Sequence, residues 1–329
     1  MPESTGYQAL RNSAALVESP TRARVRVTGE KRLALLHRMT TQDLNSLRPG
    51  QGRTAVLLTD KARIVDHLTV YALEEEARIL SARSDAAPSL LHLKHYTLRD
   101  DFKPQEETSS SSLLCILGPR AVEVLTAAGL EEASTLPDVG IRRLPDGDGF
   151  LLSTDGPCRR NLALWVTAER AAHWRDHLLE AGSATGLRAA TSEDYEAVRI
   201  ENGHAAYGSE LSEEINPLEA GLGGSISWDK GCYIGQEVVA RLDTYQKVQR
   251  HLVGLRLPGA VGPPPAGSKL LMGGQPAGWV TSAIDSPALG EPVALGYVKT
   301  AHTEAGTALQ VLAGSETLEA RVAALPLVS

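Results

Sequence analysis

The sequence predicts an α+β protein that ends in an all-β module, and two observations carry this prediction. Strand-like and helix-like segments alternate in two similar halves of residues 1–248, which is the pattern of split β-α-β units. From residue 249 onward, short strands are separated by glycine and proline, as in "GSKLLMGGQPAGWVTSAIDS", which is typical of a small β-barrel. We therefore predict an α+β region at residues 1–248 and a C-terminal β-barrel domain at residues 249–329.

The elements of the first half follow from local patterns. "RVRVTG" alternates polar and apolar residues and ends at Gly29, which predicts a strand and a turn. "EKRLALLHRMT" has apolar residues at helical spacing. "TAVLLTDKARIVDHLTVYAL" has two apolar runs around a polar centre, which predicts a β-hairpin. "APSLLHLKHYTLRDDF" predicts a helix followed by a short connector.

The second half repeats this scheme after a polar break. "PQEETSSSS" is rich in serine, and we predict an internal linker near residues 104–112. "LLCILGPRAVEVLTAAG" then predicts a buried strand, a turn and a helix that stops at Gly129. Further strands and a helix follow, and "YEAVRIE" predicts another helix before the barrel.

Composition limits the class of function. The chain has 329 residues, 42% of them hydrophobic, with a formal net charge of -7 and a sequence pI near 5.8. A nucleic-acid-binding protein is usually basic, so this balance argues against phosphate-backbone binding as the main task. The N-terminal stretch lacks the apolar core of a secretory signal, and no apolar run reaches the length of a membrane span. We expect a cytoplasmic protein that does not enter a membrane.

The three cysteines, Cys115, Cys158 and Cys232, are widely spaced. There is no C-x-x-C pair, so neither a disulfide framework nor a four-cysteine metal site is expected. Cys115 falls in an apolar strand, which predicts core packing, and Cys158 follows a proline in a turn. We predict no metal site within the chain alone.

Cys232 has a different setting, in "SWDKGCYIGQEVVARLD". It comes just before a predicted helix start and two residues after Lys230. A helix N-terminus and a nearby cation both favour a thiolate, which predicts a reactive residue. The alternative is a small buried hydrophobic residue, and the pattern alone does not decide between the two.

Two glutamates in the acidic segment before this loop are candidates for a binding site. Glu201 ends the "YEAVRIE" helix, and Glu219 lies in "NPLEAGL". A carboxylate accepts two parallel hydrogen bonds, which suits a ligand with an amino group beside a ring N–H, as on a reduced pterin. The alternative is a pair of solvated glutamates at helix starts.

The loop resembles the signature of a known family. "DKGCYIGQEVVAR" is similar to the signature loop of the YgfZ-type folate-binding proteins, relatives of the glycine-cleavage aminomethyltransferase (T-protein). "VRIENGHAAYGSEL" and "NPLEAGL" resemble the folate-pocket segments of that family. "HRMTTQDLNSLRPGQGRTAVLLTDKARIVD" resembles its N-terminal block, and "GWVTSAIDSPALGEPVALGYV" resembles its C-terminal domain. The blocks keep their order over nearly the whole chain.

The resemblance implies a fold and a cofactor. Two ferredoxin-like α+β modules and a C-terminal β-barrel would form a ring around a central channel that holds tetrahydrofolate or a one-carbon derivative. Glu201 and Glu219 would face the pterin. We assign three further residues of the loop and its helix to the cofactor site: Lys230, Tyr233 and Arg241.

One departure from the aminomethyltransferases concerns catalysis. Those enzymes carry two adjacent aspartates on the hairpin, whereas this chain has Asp66 followed by His67. Successive strand residues face opposite sides, so only one of the two can point into the channel. If it is Asp66, some acid–base competence remains, and we name Asp66 and Cys232 as candidate catalytic residues. If it is His67, the transfer chemistry of the aminomethyltransferases is disfavoured.

Three functions follow from these residues. The first is a tetrahydrofolate-binding protein that supports assembly or repair of iron–sulfur proteins, with those client proteins or their assembly machinery as partners. The cysteine in the loop favours it, because the resemblance places a cysteine there in the group with that role. The alternative is a folate-dependent aminomethyltransferase or related demethylase, for which the His67 substitution predicts little turnover. The third is a binding module without chemistry.

Overall fold

A computed structural model describes residues 4–18, 22–97 and 101–328 of the chain. Its strands form a five-stranded sheet, a six-stranded sheet and a closed barrel. The predicted α+β class with a C-terminal β-barrel is therefore confirmed.

The first sheet has the strand order β3-β4-β5-β2-β6, and all of its neighbouring pairs are antiparallel. Helices α2 and α3 bury apolar residues such as Leu36 and Leu93 in the same cluster as Val25 and Val70 of this sheet. The elements are β2 (Arg24–Thr28), α2 (Arg32–Met39), β3 (Gly52–Leu58), β4 (Ile64–Ala72), β5 (Glu76–Ser81), α3 (Ala87–His95) and β6 (Lys103–Glu106). The predicted strand, helix, hairpin and helix of the first half all lie here.

The second sheet has the strand order β11-β1-β7-β10-β9-β8. Its strands are β1 (Ala14–Glu18), β7 (Ser111–Leu117), β8 (Gly140–Arg143), β9 (Gly149–Ser153), β10 (Asn161–Thr167) and β11 (Leu187–Ala189). Its helices are α1 (Thr5–Asn12), α4 (Ala121–Ala127), α5 (Ala168–Ala181) and α6 (Ser192–Glu201).

Both faces of this sheet are covered, which explains its nearly continuous apolar strands. In β1, Leu16 joins the cluster with α4 and α5, while the next residue, Val17, joins the cluster with α1 and α6. This alternation is the period of two that a strand imposes on its side chains. Cys115 of β7 is buried in the second cluster, as its apolar setting predicts.

The barrel closes in the order β12-β15-β14-β13-β16-β17, so no strand edge is left open. Its strands are β12 (Arg250–Arg256), β13 (Lys269–Met272), β14 (Gln275–Ser286), β15 (Glu291–Lys299), β16 (Ala308–Ala313) and β17 (Glu316–Ala323). Helix α7 (Gln236–Thr244) and a short 3₁₀ helix (Leu222–Ser225) lie between the second sheet and the barrel in the chain. The division at residue 249 as a domain boundary stays a prediction.

The predicted linker differs from the structure. Its first part belongs to β6, which pairs with β2 at the edge of the first sheet, and β7 of the second sheet begins at Ser111. All four residues of β6 are exposed, so this edge strand has no apolar face and its sequence looks like a loop. The predicted connector after α3 lies partly outside the described residues, at 98–100.

No helix among the described residues combines the length and apolarity needed to cross a membrane.

Candidate functional site

A cavity of about 490 Å³ opens where the two sheets meet the segment before α7. Thr54 of β3 and His67 of β4 line it from the first sheet. Residues 153–156 and 158–161 line it from the second sheet, and Gly224 and Ser225 line it from the 3₁₀ helix. This "central cavity" therefore takes side chains from parts of the chain that are far apart in sequence.

The structure decides which residue of the Asp66-His67 pair faces the central cavity. His67 lines it, whereas Asp66 points to the opposite face of β4. There, Oδ2 of Asp66 accepts hydrogen bonds from Ser81 Oγ and Ser89 Oγ, each at 2.6 Å, and burial raises the pKa of this carboxyl. Asp66 thus holds β4, β5 and α3 together. Its assignment as a catalytic residue stays a prediction, although strand alternation turns its side chain away from the cavity.

His67 is held in the cavity wall by a hydroxyl pair. Its Nε2 lies 2.9 Å from Ser225 Oγ, and Ser225 Oγ lies 2.9 Å from Thr54 Oγ1. Burial lowers the pKa of His67 to about 4, Asp155 opposes this shift and Arg22 adds to it. The imidazole is therefore neutral at neutral pH, so the site presents a hydrogen-bonding and proton-accepting group where a carboxylate would present a negative charge.

Two more polar side chains near His67 were missed from the sequence. Arg22 donates to Thr69 Oγ1 at 3.2 Å and to the carbonyl of Ser81 at 3.2 Å. His204 is buried enough for its pKa to be lowered, and both residues act electrostatically on His67. Arg22 lies outside the motifs described above. His204 lies within "VRIENGHAAYGSEL", where Glu201 was the candidate binding residue. No local pattern marks either one, because only the packing of separate segments brings them together.

Glu201 is fully buried, but not in the wall of the central cavity. Its carboxylate accepts hydrogen bonds from Tyr7 Oη at 2.8 and 3.0 Å and from Ser286 Oγ at 2.5 Å, and Arg11 lies 3.6 Å away. These partners belong to α1 and to barrel strand β14. Glu201 therefore joins α1, α6 and the barrel, and its assignment to the pterin stays a prediction.

Glu219 is also a buried carboxylate that lies outside the wall of the central cavity. Its Oε2 accepts a hydrogen bond from the backbone N–H of Asn216 at 3.1 Å, and its Oε1 lies 3.1 Å from Arg250 Nε. Arg63 of the β3–β4 turn lies 3.8 Å from the same carboxylate. The side chain is buried and does not line the central cavity. Its charge is matched by two arginines of the chain itself, and its assignment to the pterin stays a prediction as well.

The basic and aromatic residues of the loop before α7 have structural partners. Lys230 Nζ donates to the carbonyls of His37, Thr40 and Gln42, at 2.7 Å for Thr40 and 3.1 Å for Gln42. These carbonyls lie in the last turn of α2 and just after it, where a cation is favourable, and burial lowers the pKa of Lys230 to about 8. Tyr233 is buried in an apolar cluster with Val56. Lys230 thus fixes the loop to the end of α2 and Tyr233 fixes it to the first sheet, and their assignment to the cofactor stays a prediction.

Cys232 is exposed, four residues before α7 begins. The other two thiols are less accessible, and burial raises the pKa of Cys115 to about 11 and that of Cys158 to about 12. Trp228 of the same loop is about half exposed, at 49%. Arg241 lies exposed on α7, outside the wall of the central cavity. The roles assigned to Cys232 and Arg241 stay predictions.

Family models match most of the chain. The GCVT N-terminal domain matches residues 4–139 and 163–230, and the glycine cleavage T-protein C-terminal barrel domain matches residues 250–329. The second match covers the closed barrel described above.

Two similar proteins are named aminomethyltransferases, and a third is named a putative transferase. The chain is 29% identical to an aminomethyltransferase of Saccharopolyspora erythraea, over 98% of this chain and 89% of that protein. It is 30% identical to an aminomethyltransferase of Symbiobacterium thermophilum, over 97% of this chain and 88% of that protein. A putative chloroplastic transferase of Arabidopsis thaliana is 28% identical over 94% of this chain and 71% of that protein.

A solved structure has the same fold. The glycine cleavage system aminomethyltransferase T from Bartonella henselae superposes with a TM-score of 0.87 at 24% identity, covering 99% of this chain and 90% of that one. Together with the two family models, these similarities show that the chain belongs to the glycine-cleavage aminomethyltransferase (T-protein) family.

Proposed function

We propose that the protein binds a tetrahydrofolate in the central cavity and takes part in folate-dependent one-carbon transfer. The observation that carries this proposal is a polar cavity with His67 in its wall, at the hairpin position where the resemblance places an aspartate in the aminomethyltransferases. Relatives named aminomethyltransferase match nearly the whole chain. We therefore prefer one-carbon transfer to the role in iron–sulfur protein assembly that the loop cysteine favours.

The cavity has the size and lining that such a ligand needs. A volume of about 490 Å³ lies within the ordinary range for small-molecule sites. Thr54, Ser225 and Asn161 offer hydrogen-bonding groups along its wall, which suits the polar edge of a pterin. Arg159 and Arg160 lie in the same wall and suit the anionic glutamate tail of a folate.

The chemistry of the site follows from the neutral imidazole. Ser225 Oγ fixes the orientation of His67 through Nε2, so the ring is held in one position within the cavity wall. A neutral imidazole accepts or returns a proton, but it supplies no fixed negative charge to a cation that develops on a folate nitrogen. We therefore expect weak aminomethyl transfer in a glycine-cleavage assay with the other components supplied. Robust folate-dependent ammonia release would place the protein with the aminomethyltransferases in activity as well.

Filling the central cavity is expected to weaken folate binding. A Cβ added at Gly224 or at Gly223 meets no atom within 4 Å, so both positions accept a side chain, but only Gly224 lines the cavity. We expect Gly224→Phe to weaken tetrahydrofolate binding by more than about tenfold in titration calorimetry, because the ring occupies ligand volume.

Gly223→Phe is the matched control and should bind as the parent does. Glu201→Gln should also keep its affinity, since Glu201 lies outside the cavity wall. Equal binding by the parent and Gly224→Phe would place the folate elsewhere, and a loss of affinity in Glu201→Gln would support the assignment of Glu201 to the folate site.

A second candidate function rests on the exposed thiol of Cys232. The loop resembles the YgfZ-type signature, and Lys230 fixes it to the end of α2, so the thiol is presented to solvent on a held segment. We propose that this function is support of iron–sulfur protein assembly or repair, with the client protein or a second copy completing any cluster. One thiolate cannot hold such a cluster alone.

Cys232 is expected to react fastest of the three thiols with iodoacetamide near neutral pH. It is exposed, whereas burial raises the pKa of Cys115 to about 11 and of Cys158 to about 12, which keeps them protonated. Peptide mass spectrometry over a time course measures the three rates. Cys232→Ser should keep the fold and folate binding but fail to support iron–sulfur enzymes in a strain lacking the protein. Full support by Cys232→Ser would remove this second function.

A further inference from the structure

A second cavity, of about 520 Å³, lies on the barrel and shares no lining residue with the central cavity. We call it the barrel cavity. Residues 276–279 of β14 form one wall, and residues 297 and 299–301 at the end of β15 form another. Residues 248–250, where the chain enters β12, complete it. None of the residues assigned above to catalysis or to the cofactor lines this cavity.

The barrel cavity has an aromatic floor. The rings of Trp279 and Tyr297 lie side by side, with 5.3 Å between their centroids. Pro276, Ala277 and Ala301 add further apolar surface to the lining. Trp279 is partly exposed, whereas Tyr297 is 1% exposed and lies behind it, so a flat ring of a ligand would stack on Trp279 and gain contact area there.

Arg250 is held in place beside this floor. Its guanidinium carbon lies 4.7 Å from the Trp279 ring centroid and 5.8 Å from that of Tyr297. Nη2 donates to the carbonyl of Glu214 at 3.0 Å. Nε lies 3.1 Å from Glu219 Oε1 as an ion pair, although its N–H is not directed for a hydrogen bond. The cation is thus oriented before any ligand arrives, which lowers the entropy cost of binding.

The charge of the lining has one sign. Arg250 and the exposed Lys299 line the barrel cavity, and no aspartate or glutamate is among the described residues that do. Thr300 and Gln249 supply neutral hydrogen-bonding groups at the same site. Glu219 already pairs with Arg250, so the exposed Lys299 beside Trp279 is the cation that selects an anion with a flat apolar body.

We propose that the barrel cavity binds a small aromatic carboxylate. The ring stacks on Trp279, and the carboxylate pairs with Lys299, while Glu219 offsets the charge of Arg250. An aromatic amine would place its charge against Lys299, and an aliphatic acid would lose the stacking contact.

2-Naphthoate is the probe that tests this site. Titration into the ¹⁵N-labelled full chain should shift the indole N–H signal of Trp279, which Trp279→Phe identifies by its loss. Cyclohexanecarboxylate should bind more weakly, and 2-naphthylmethylamine should not bind. Lys299→Glu should weaken naphthoate binding by about tenfold, because an exposed cation at the rim becomes an anion.

Lys61→Glu is the matched control, since it reverses an exposed lysine in the β3–β4 turn outside the barrel cavity. Unchanged affinity in Lys299→Glu, or equal binding of the amine, would overturn the proposal. Gly224→Phe should keep naphthoate binding, because that residue does not line the barrel cavity. If tetrahydrofolate displaces naphthoate from the parent protein and Gly224→Phe binds neither, the probe occupies the central cavity and the barrel site is refuted.

Discussion

Arg199→Met is expected to lower the free energy of unfolding by about 3–5 kcal/mol, because it leaves a buried carboxylate without its counter-charge. Arg199 is 2% exposed, and its Nη1 lies 2.9 Å from Oε2 of Glu210, which is 0% exposed. Its Nη2 also donates to Ser282 Oγ of barrel strand β14 at 3.0 Å. The substitution therefore removes one of the polar contacts between α6 and the barrel, and the contact of Glu201 with Ser286 remains. Chemical denaturation of the full chain measures the loss.

The double variant Arg199→Met with Glu210→Gln should recover part of this loss, since it removes the unpaired charge. Arg175→Met is the matched control, because Arg175 is an exposed arginine that pairs with Asp176 at the surface. It should change the free energy of unfolding by less than about 1 kcal/mol. Equal effects of the two single variants would show that the buried pair contributes no more than a surface pair.

Acid should destabilise the parent protein through His67 by about 3 kcal/mol between pH 6.5 and about 4. Burial lowers the pKa of His67 from 6.5 to about 4, so the unfolded chain takes up a proton at a higher pH than the folded one. Stability from this group is full above pH 6.5 and falls as the pH drops toward 4. His67→Asn should therefore show a shallower loss of stability in this window, measured by denaturation at several pH values.

His173→Asn controls for the loss of a histidine, because His173 is exposed on α5. Its pH curve should run parallel to that of the parent. If His67→Asn also runs parallel to the parent, the imidazole is not buried as a neutral group, and the interpretation of the site as a neutral base loses its basis. His204 near His67 is buried as well, so the comparison uses the difference between curves and not the parent curve alone.

Sequence patterns could not predict which carboxylates line the central cavity. The quoted segments placed Glu201 and Glu219 in folate-like surroundings, and both are buried acidic residues in the structure. Their partners come from elements far away: Tyr7 from α1, Ser286 from β14 and Arg250 from β12. A motif states which residue type is present but not which segment packs against it, so these contacts could not be predicted. The same reason hid Arg22 and His204.

Local sequence patterns were sufficient to predict most of the strands and helices discussed above. Alternating apolar residues predicted β2, two apolar runs around a polar turn predicted the β3–β4 hairpin, and glycine-rich short strands predicted the barrel. The edge strand β6 was not predicted, because a strand that is exposed along its whole length has no apolar periodicity. Periodicity reports a buried face, so it fails where no face is buried.

Sequence by itself determined the fold class, the barrel, the core position of Cys115 and the choice that one of Asp66 and His67 must face away from the cavity. Only the tertiary structure decided that His67 is the one that faces it, because the side of β4 covered by α3 is fixed by packing and not by alternation. The tertiary structure also decided that the Lys230 ammonium donates hydrogen bonds to carbonyls at the end of α2, and that Cys232 is exposed. Alternation gives two equivalent faces, and the contacts between distant segments make one of them the site.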